Sequence, residues 1–160
     1  MAVAQDVFRR LVKDEIAPAL RRLGFKGSGQ RFELPSETHI AILGIQKSTS
    51  STADVVRFTT NLTVGVREEW ERERKQQRLP EETPSPNTVY MLDSLWQERI
   101  GALIPGAGGD RWWEIRPCAD NADVAAEFVA AVRDDALPEL RRRITSAGHA
   151  SPSHADSHRP

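Results

Sequence analysis

Between Val55 and Val66 the chain alternates apolar and polar side chains. Val56, Phe58, Leu62, Val64 and Val66 share one parity, and Arg57, Thr59, Asn61 and Thr63 share the other. Strict alternation of this length predicts a strand with one buried and one polar face. Just before it, His39 to Gln46 is apolar on both parities, with Ile40 and Ile42 on one and Ala41, Leu43 and Ile45 on the other. That pattern suits a central strand, and an antiparallel hairpin between the two is expected. Lys47 to Asp54 reads as the Ser/Thr-rich loop between them.

Helices are expected at both ends. From Gln5 to Leu23 the residues Phe8, Leu11, Val12, Ile16, Ala19, Leu20 and Leu23 recur at three- and four-residue spacing. Pro18 should bend this helix, because it removes a hydrogen bond and crowds the preceding turn. Gly24 can take the left-handed position after the last turn, letting Phe25 fold back on Leu20. From Asn121 to about Ile144 a second stripe runs through Val124, Phe128 and Val132. Pro138 interrupts it, and the stripe resumes, displaced, at Leu137, Leu140 and Ile144. No internal repeat is read.

The middle of the chain is less regular. Arg31 to Leu34 is a short strand candidate, and Trp112 to Arg116 another. Arg67 to Arg78 is a mixed-charge run, with Glu68/Arg72 and Glu71/Lys75 spaced to support a solvated helix. Leu79 to Pro86 is a proline-rich loop. Val89, Leu92, Trp96, Ile100 and Leu103 then predict a helix from Thr88 to about Ile104, capped by Asn87, with a strand over 95–103 as the alternative. The expected fold is α+β, with a mostly antiparallel sheet of about four strands and the N- and C-terminal helices packed on one face. One domain over 1–145 is expected, followed by a disordered tail over 146–160 that has no large apolar residue.

Charge and length narrow the function classes. A 160-residue chain accommodates one core. A formal net charge of −1 provides no overall field for nucleic acid or an anionic membrane. The first residues lack a signal-peptide pattern, and no apolar run is long enough to span a bilayer. The single cysteine, Cys118, has no internal disulfide partner, which fits a reducing cytoplasm.

Most motifs reduce to ordinary chemistry. Gly27-Ser28-Gly29 precedes a strand rather than a helix, so a plain turn outweighs a phosphate loop. His149, His154 and His158 lie in the tail with no thiol or carboxylate arrangement to fix a metal. Nothing pairs Cys118 with His39 as nucleophile and base. Arg141-Arg142-Arg143 meets a helix C-terminus, where the helix dipole favours positive charge. No catalytic spacing, cofactor motif or metal site is read.

Polar and aromatic residues at unexpected places remain. Asn61 interrupts the best strand, although asparagine is disfavoured there. Gln46 and Lys47 close the central strand with polar groups, and Trp112 and Trp113 are adjacent. Neighbouring strand residues face opposite ways. One tryptophan should therefore join Val56, Phe58 and Val64 in the core, and the other should join Arg57, Thr59 and Asn61, at least partly exposed. The competing arrangement folds 67–95 over that second face and buries the second ring against Trp70 or Tyr90.

The order of Gly24-Phe25, Ile45-Gln46-Lys47-Ser48, Asn61-Leu62-x-Val64, Arg99-Ile100-Gly101-x-Leu103 and Asp110-x-Trp112-Trp113 resembles the bacterial domain of unknown function family 4304. The resemblance spans roughly Val7 to Ile144. It implies no activity and no catalytic residue. The leading expectation is a non-enzymatic domain that binds a protein partner, immunity- or adaptor-like by analogy. The alternative is a small-molecule or anion binder, or an enzyme, with a polar site at the sheet. The candidate binding residues are Gln46, Lys47, Asn61, Arg99, Asp110, Trp112 and Trp113.

Overall fold

The computed structural model describes residues 3–147. The expected tail beyond Ala147, with its three histidines, lies outside the described residues. Strands β1 (Lys26–Ser28), β2 (Arg31–Glu33), β3 (His39–Lys47), β4 (Val56–Val66) and β5 (Leu95–Arg99) form one antiparallel sheet in that order. A sixth strand, β6 (Trp113–Ile115), pairs with the early part of β4. The fold is α+β as expected, with six strands where about four were anticipated. The two extra strands are β1, which forms a hairpin with β2 where the sequence suggests only a turn, and β5, which pairs with β4 where a helix is expected.

Helices α1 (Ala4–Leu11) and α2 (Ala17–Arg22) at the N-terminus, and α4 (Ala122–Ala131) and α5 (Leu137–Ala147) at the C-terminus, pack on one face of the sheet. Phe8, Ile16, Leu20, Phe128, Val132 and Leu140 there meet Leu43, Ile45, Phe58 and Leu62, all buried. α5 continues into Ser146 and Ala147, past the expected end. Gly24, at φ +108°, ends α2, and Phe25 N donates to Leu20 O at 3.1 Å, the predicted fold-back.

Neither terminal helix is simply kinked by its proline. Each contains a π turn just before it, Val12–Ile16 ahead of Pro18 and Val132–Ala136 ahead of Pro138. Ala17 N bonds to Val12 O, and Leu137 N to Val132 O. In an α-helix the proline ring would crowd the carbonyl four residues back. The wider turn relieves that crowding and carries the buried stripe across a five-residue step, from Val12 to Ala17 and from Val132 to Leu137. The two segments read Val12-Lys-Asp-Glu-Ile-Ala-Pro-Ala-Leu20 and Val132-Arg-Asp-Asp-Ala-Leu-Pro-Glu-Leu140. They form a short internal repeat in sequence and conformation, correcting the reading that the chain has none.

The predicted helix over Thr88–Ile104 is not formed. Leu95–Arg99 is the strand β5, followed by a 3-10 turn at Ile100–Ala102. The helix-like spacing mixes residues with different destinations. Val89 is exposed, Leu92 packs on the second face of the sheet, and Trp96, Ile100 and Leu103 belong to the helix-side core. Pairing with the edge of β4 outweighs local periodicity.

The second face of the sheet carries an apolar cover over one half. There α3 (Arg67–Gln76) and the segment up to Leu95 bring Trp70, Leu79, Tyr90 and Leu92 over Ile40 and Ile42. Trp70 and Tyr90 meet edge to face at 5.2 Å, and Trp70 Nε1 donates to Glu82 O at 2.9 Å. α3 is thus not fully solvated: Trp70 is buried, while Glu71 pairs with Arg74 at 2.7 Å and Lys75 at 3.4 Å.

Candidate functional site

The other half of that second face carries most of the flagged residues. Cross-strand register aligns Gly44 of β3 with Asn61 of β4, and Asn61 with Arg99 of β5. Gln46 follows Gly44 on the same face of β3, since side chains two apart share a face. Asn61 Nδ2 donates to Gln46 Oε1 at 2.7 Å and to Asn87 Oδ1 at 2.9 Å. Those two bonds explain an asparagine in mid-strand: it ties the sheet to the loop after α3. Gly44 makes the approach possible, because a Cβ there would lie 2.4 Å from the Pro86 ring.

Beyond Asn61 the surface becomes charged and aromatic. The Arg99 guanidinium lies 5.2 Å from the centroid of the Trp112 ring. Asp110 links the two, accepting from Trp112 Nε1 at 2.9 Å and lying 3.4 Å from Arg99 Nη1. Both ends of that ion pair are well exposed, so it positions the side chains more than it stabilises the fold. Trp112 is half-buried.

A hollow of about 390 Å³ sits among Gln46, Asn61, Asn87, Gln97 and Arg99. Gln97 spans its wall, donating to Thr88 O at 2.6 Å and accepting from Tyr90 N at 3.1 Å. Among the described residues, the amide nitrogens of Gln46 and Asn87, the amide oxygen of Asn61, and Nη2 of Arg99 have no hydrogen-bond partner. Thr88 and the Glu98 carboxylate also line the hollow, so it offers both donors and acceptors to a ligand.

Two candidates lie elsewhere. Lys47 is one residue past Gln46 and so turns to the helix side. Its Nζ donates to Gln5 Oε1 at 3.0 Å and sits 5.8 Å from the Phe8 ring centroid. Trp113 is buried in the helix-side core, stacked at 6.0 Å on Phe58 and edge-on at 5.1 Å to Phe128. The tryptophans thus divide between the faces as expected. The competing arrangement holds for the segment 67–95, which does fold over the second face, but its cover rests on Ile40 and Ile42 rather than on Trp112.

Sequence reasoning missed the loop that forms the near wall. Asn87, read as a helix cap, is a site residue instead. Val89 and Met91 stand 74% and 88% exposed on the same loop, and Met91 holds a left-handed φ of +54°. The available signal was apolar residues beside prolines and asparagine, a composition that fits a turn as well as a helix start.

The other weighed motifs stay apart. Cys118 is exposed, and His39 is buried with Nδ1 2.7 Å from Thr38 Oγ1. Among the described residues no group of three His, Cys, Asp or Glu is placed to hold a metal, and no helix is long and apolar enough to cross a membrane.

A family model, described as a domain of unknown function (DUF4304), matches residues 16–142. No curated protein and no solved structure matches the chain.

Proposed function

Because the chain belongs to the DUF4304 family, which carries no assigned activity, its function has to be read from the site, and we propose a non-enzymatic domain that binds a protein partner in the bacterial cytoplasm. An immunity- or adaptor-like role is consistent with such a domain. One observation carries the reading: Val89 stands exposed on the lip of a hollow that adjoins the Arg99–Trp112 stack, and Met91 stands exposed two residues further along the same loop. Exposed apolar side chains beside an arginine and a tryptophan are the composition of interface hot spots. Two of the cations nearby are already matched, Arg57 with Glu114 at 3.4 Å and Arg99 with Asp110. Affinity would therefore come from apolar and aromatic burial, with the free amides fixing register.

The test is affinity capture from the native host, comparing the unmodified chain with Met91→Asp and Arg99→Ala. A specific partner should be lost in both variants and kept by Arg141→Ala, whose side chain lies outside this face. Capture unaffected by Met91→Asp and Arg99→Ala would sink the reading. The unpartnered amides also favour a second reading, a small amide- or carboxylate-bearing ligand held in the hollow. Such a ligand would raise the thermal midpoint in a concentration-dependent way without any protein partner.

A further inference from the structure

A larger hollow lies on the opposite side of the sheet, where a groove of about 970 Å³ runs between the N-terminal helix and the tip of the β1–β2 hairpin. Its rim carries five basic side chains, Arg9, Arg10, Lys13, Arg21 and Lys47, against two carboxylates, Asp6 and Asp14. Asp6 is taken by Arg9 at 2.7 Å. Arg21 donates only to the Gly27 carbonyl, at 2.9 and 3.2 Å, and Lys47 only to Gln5. Lys13 has no partner among the described residues. Phe8, Val12 and Ala17 line its base, each at most 4% exposed. Cations in excess of carboxylates, five to two, leave an unbalanced positive field in a concave site.

The repeat supplies an internal comparison. In the C-terminal copy the residue matching Lys13 is Arg133, and Asp134 beside it neutralises it at 2.8 Å. In the N-terminal copy Lys13 and Asp14 form no such pair. The residue matching Ala17 is Leu137, which is buried. The same π turn therefore carries a full-sized side chain in one helix and a methyl group in the other. The groove opens where the side chain is small and the lysine is free.

We propose that this groove binds a small amphipathic anion, an apolar chain or ring bearing one carboxylate or phosphate. The apolar part would lie over Phe8, Val12 and Ala17, with the anionic head between Lys13, Arg10 and Lys47. The positive rim selects the sign of the head group, and the hairpin tip at Gly29 limits the length of the tail.

The test is a titration of the full chain with decanoate, followed by amide NMR shifts, with decyltrimethylammonium as the matched cation. Decanoate should move the resonances of Val12, Ala17 and Gly29. The Kd should weaken about tenfold in the double variant Lys13→Glu/Lys47→Glu, an amount typical of losing a favourable charge interaction, and should also weaken with added salt. Ala17→Leu, at a position only 2% exposed, should fill the base of the groove and abolish binding, with a fall in thermal midpoint from overpacking. Should Ala17→Leu fail to fold, the two exposed lysine changes decide the question. Equal shifts from the anion and the cation, undiminished affinity in the lysine variant, or binding to phosphatidylglycerol vesicles but not to free decanoate would overturn the proposal.

Discussion

The ring of Trp113 meets that of Phe128 edge to face at 5.1 Å, joining the sheet to α4, while Trp112 beside it in sequence lies on the other face against Arg99 at 5.2 Å. This division sets unequal consequences for the two side chains. Trp113 is 3% exposed and surrounded by Phe58, Phe128 and the guanidinium of Arg111 at 4.8 Å. Trp113→Ala should destabilise the fold by about 3–5 kcal/mol, through lost burial and a cavity the helix cannot close. Trp112→Ala should cost under about 1 kcal/mol, since its ring is half-exposed and its polar link to Asp110 is at the surface. Urea denaturation of both variants checks this. Comparable large losses in both would show that the second face is sealed.

At Gly44 the loop after α3 presses directly on the sheet. A Cβ there would come within 2.4 Å of the Pro86 ring and 3.0 Å of Asn87 Oδ1. A proline ring is not a flexible side-chain end, so Gly44→Ala should push the loop outward and destabilise by about 1–3 kcal/mol. The separation should also break the Asn61–Asn87 bond and speed proteolysis between Leu79 and Leu92. Gly108→Ala is the contrast. Nothing lies within 4 Å of its Cβ position, and only the strain of φ +69°, about 1 kcal/mol, should appear. Loop proteolysis unchanged by Gly44→Ala would refute the contact.

The legible parts of this molecule are those where one residue's neighbours in sequence decide its environment. β4 alternates because its two faces meet different media, and β3 is apolar throughout because both of its faces are covered at Ile40 and Ile42. Asn61 and Gln46 could be flagged because each is polar where a strand should hold an apolar or β-branched residue, or closes a strand, whereas Arg99 is marked only by the family resemblance. Lys47 was grouped with them by adjacency, although a single step along a strand reverses the side chain. The β5 segment misled because its apolar residues serve two cores and a surface, so their spacing reports no single face. Asn87, Val89 and Met91 were illegible as site residues because their positions follow from the fit of Pro86 over Gly44, a contact between distant parts of the chain.

The π turns give a third test. If the proline ring is accommodated rather than strained, replacing Pro138 by alanine should alter stability by no more than about 1 kcal/mol. A proline forced into a regular α-helix would instead yield a gain near 3 kcal/mol on replacement. Thermal unfolding of Pro138→Ala distinguishes the two, and a gain near the larger figure would mean the turn does not relieve the ring.

Acid stability should register a carboxylate gripped by two arginines of its own helix. Glu139 accepts from Arg142 Nη2 at 2.5 Å and from Arg143 Nε at 2.8 Å, and the Arg142 hydrogen bond, opposed by partial burial, holds its carboxyl below the usual range. A depressed folded-state pKa contributes stability above the unfolded value, and that contribution is lost as pH falls through the folded value. The window therefore lies at and below the ordinary glutamate range, about pH 4.3 and downward. Arg142 is 60% exposed, so the contribution should stay under about 1 kcal/mol. Glu139→Gln should be slightly less stable than the unmodified chain at pH 7, with the difference shrinking towards pH 3 and in high salt. A difference that is constant across this range would assign the effect to packing.

The last expectation concerns Gly101, which holds the charged end of the candidate site. A Cβ at Gly101 would meet the backbone of Asp110 and Arg111 at 2.4–2.6 Å, with no flexible atom to yield. Gly101→Ala should therefore displace Asp110, which accepts from Trp112 Nε1 and pairs with Arg99. The strain should fall on the turn between Ile100 and β6, destabilising by about 1–3 kcal/mol. It should also free the Trp112 ring, shifting its fluorescence toward that of a solvated indole. Replacing Asp110 by asparagine leaves the backbone in place and keeps an acceptor for the indole, so its fluorescence should change little. Gly101→Ala and Asp110→Asn thus separate the turn from the charge. If Gly101→Ala leaves Trp112 fluorescence and stability unchanged, the close approach of Asp110 to Gly101 does not position this site.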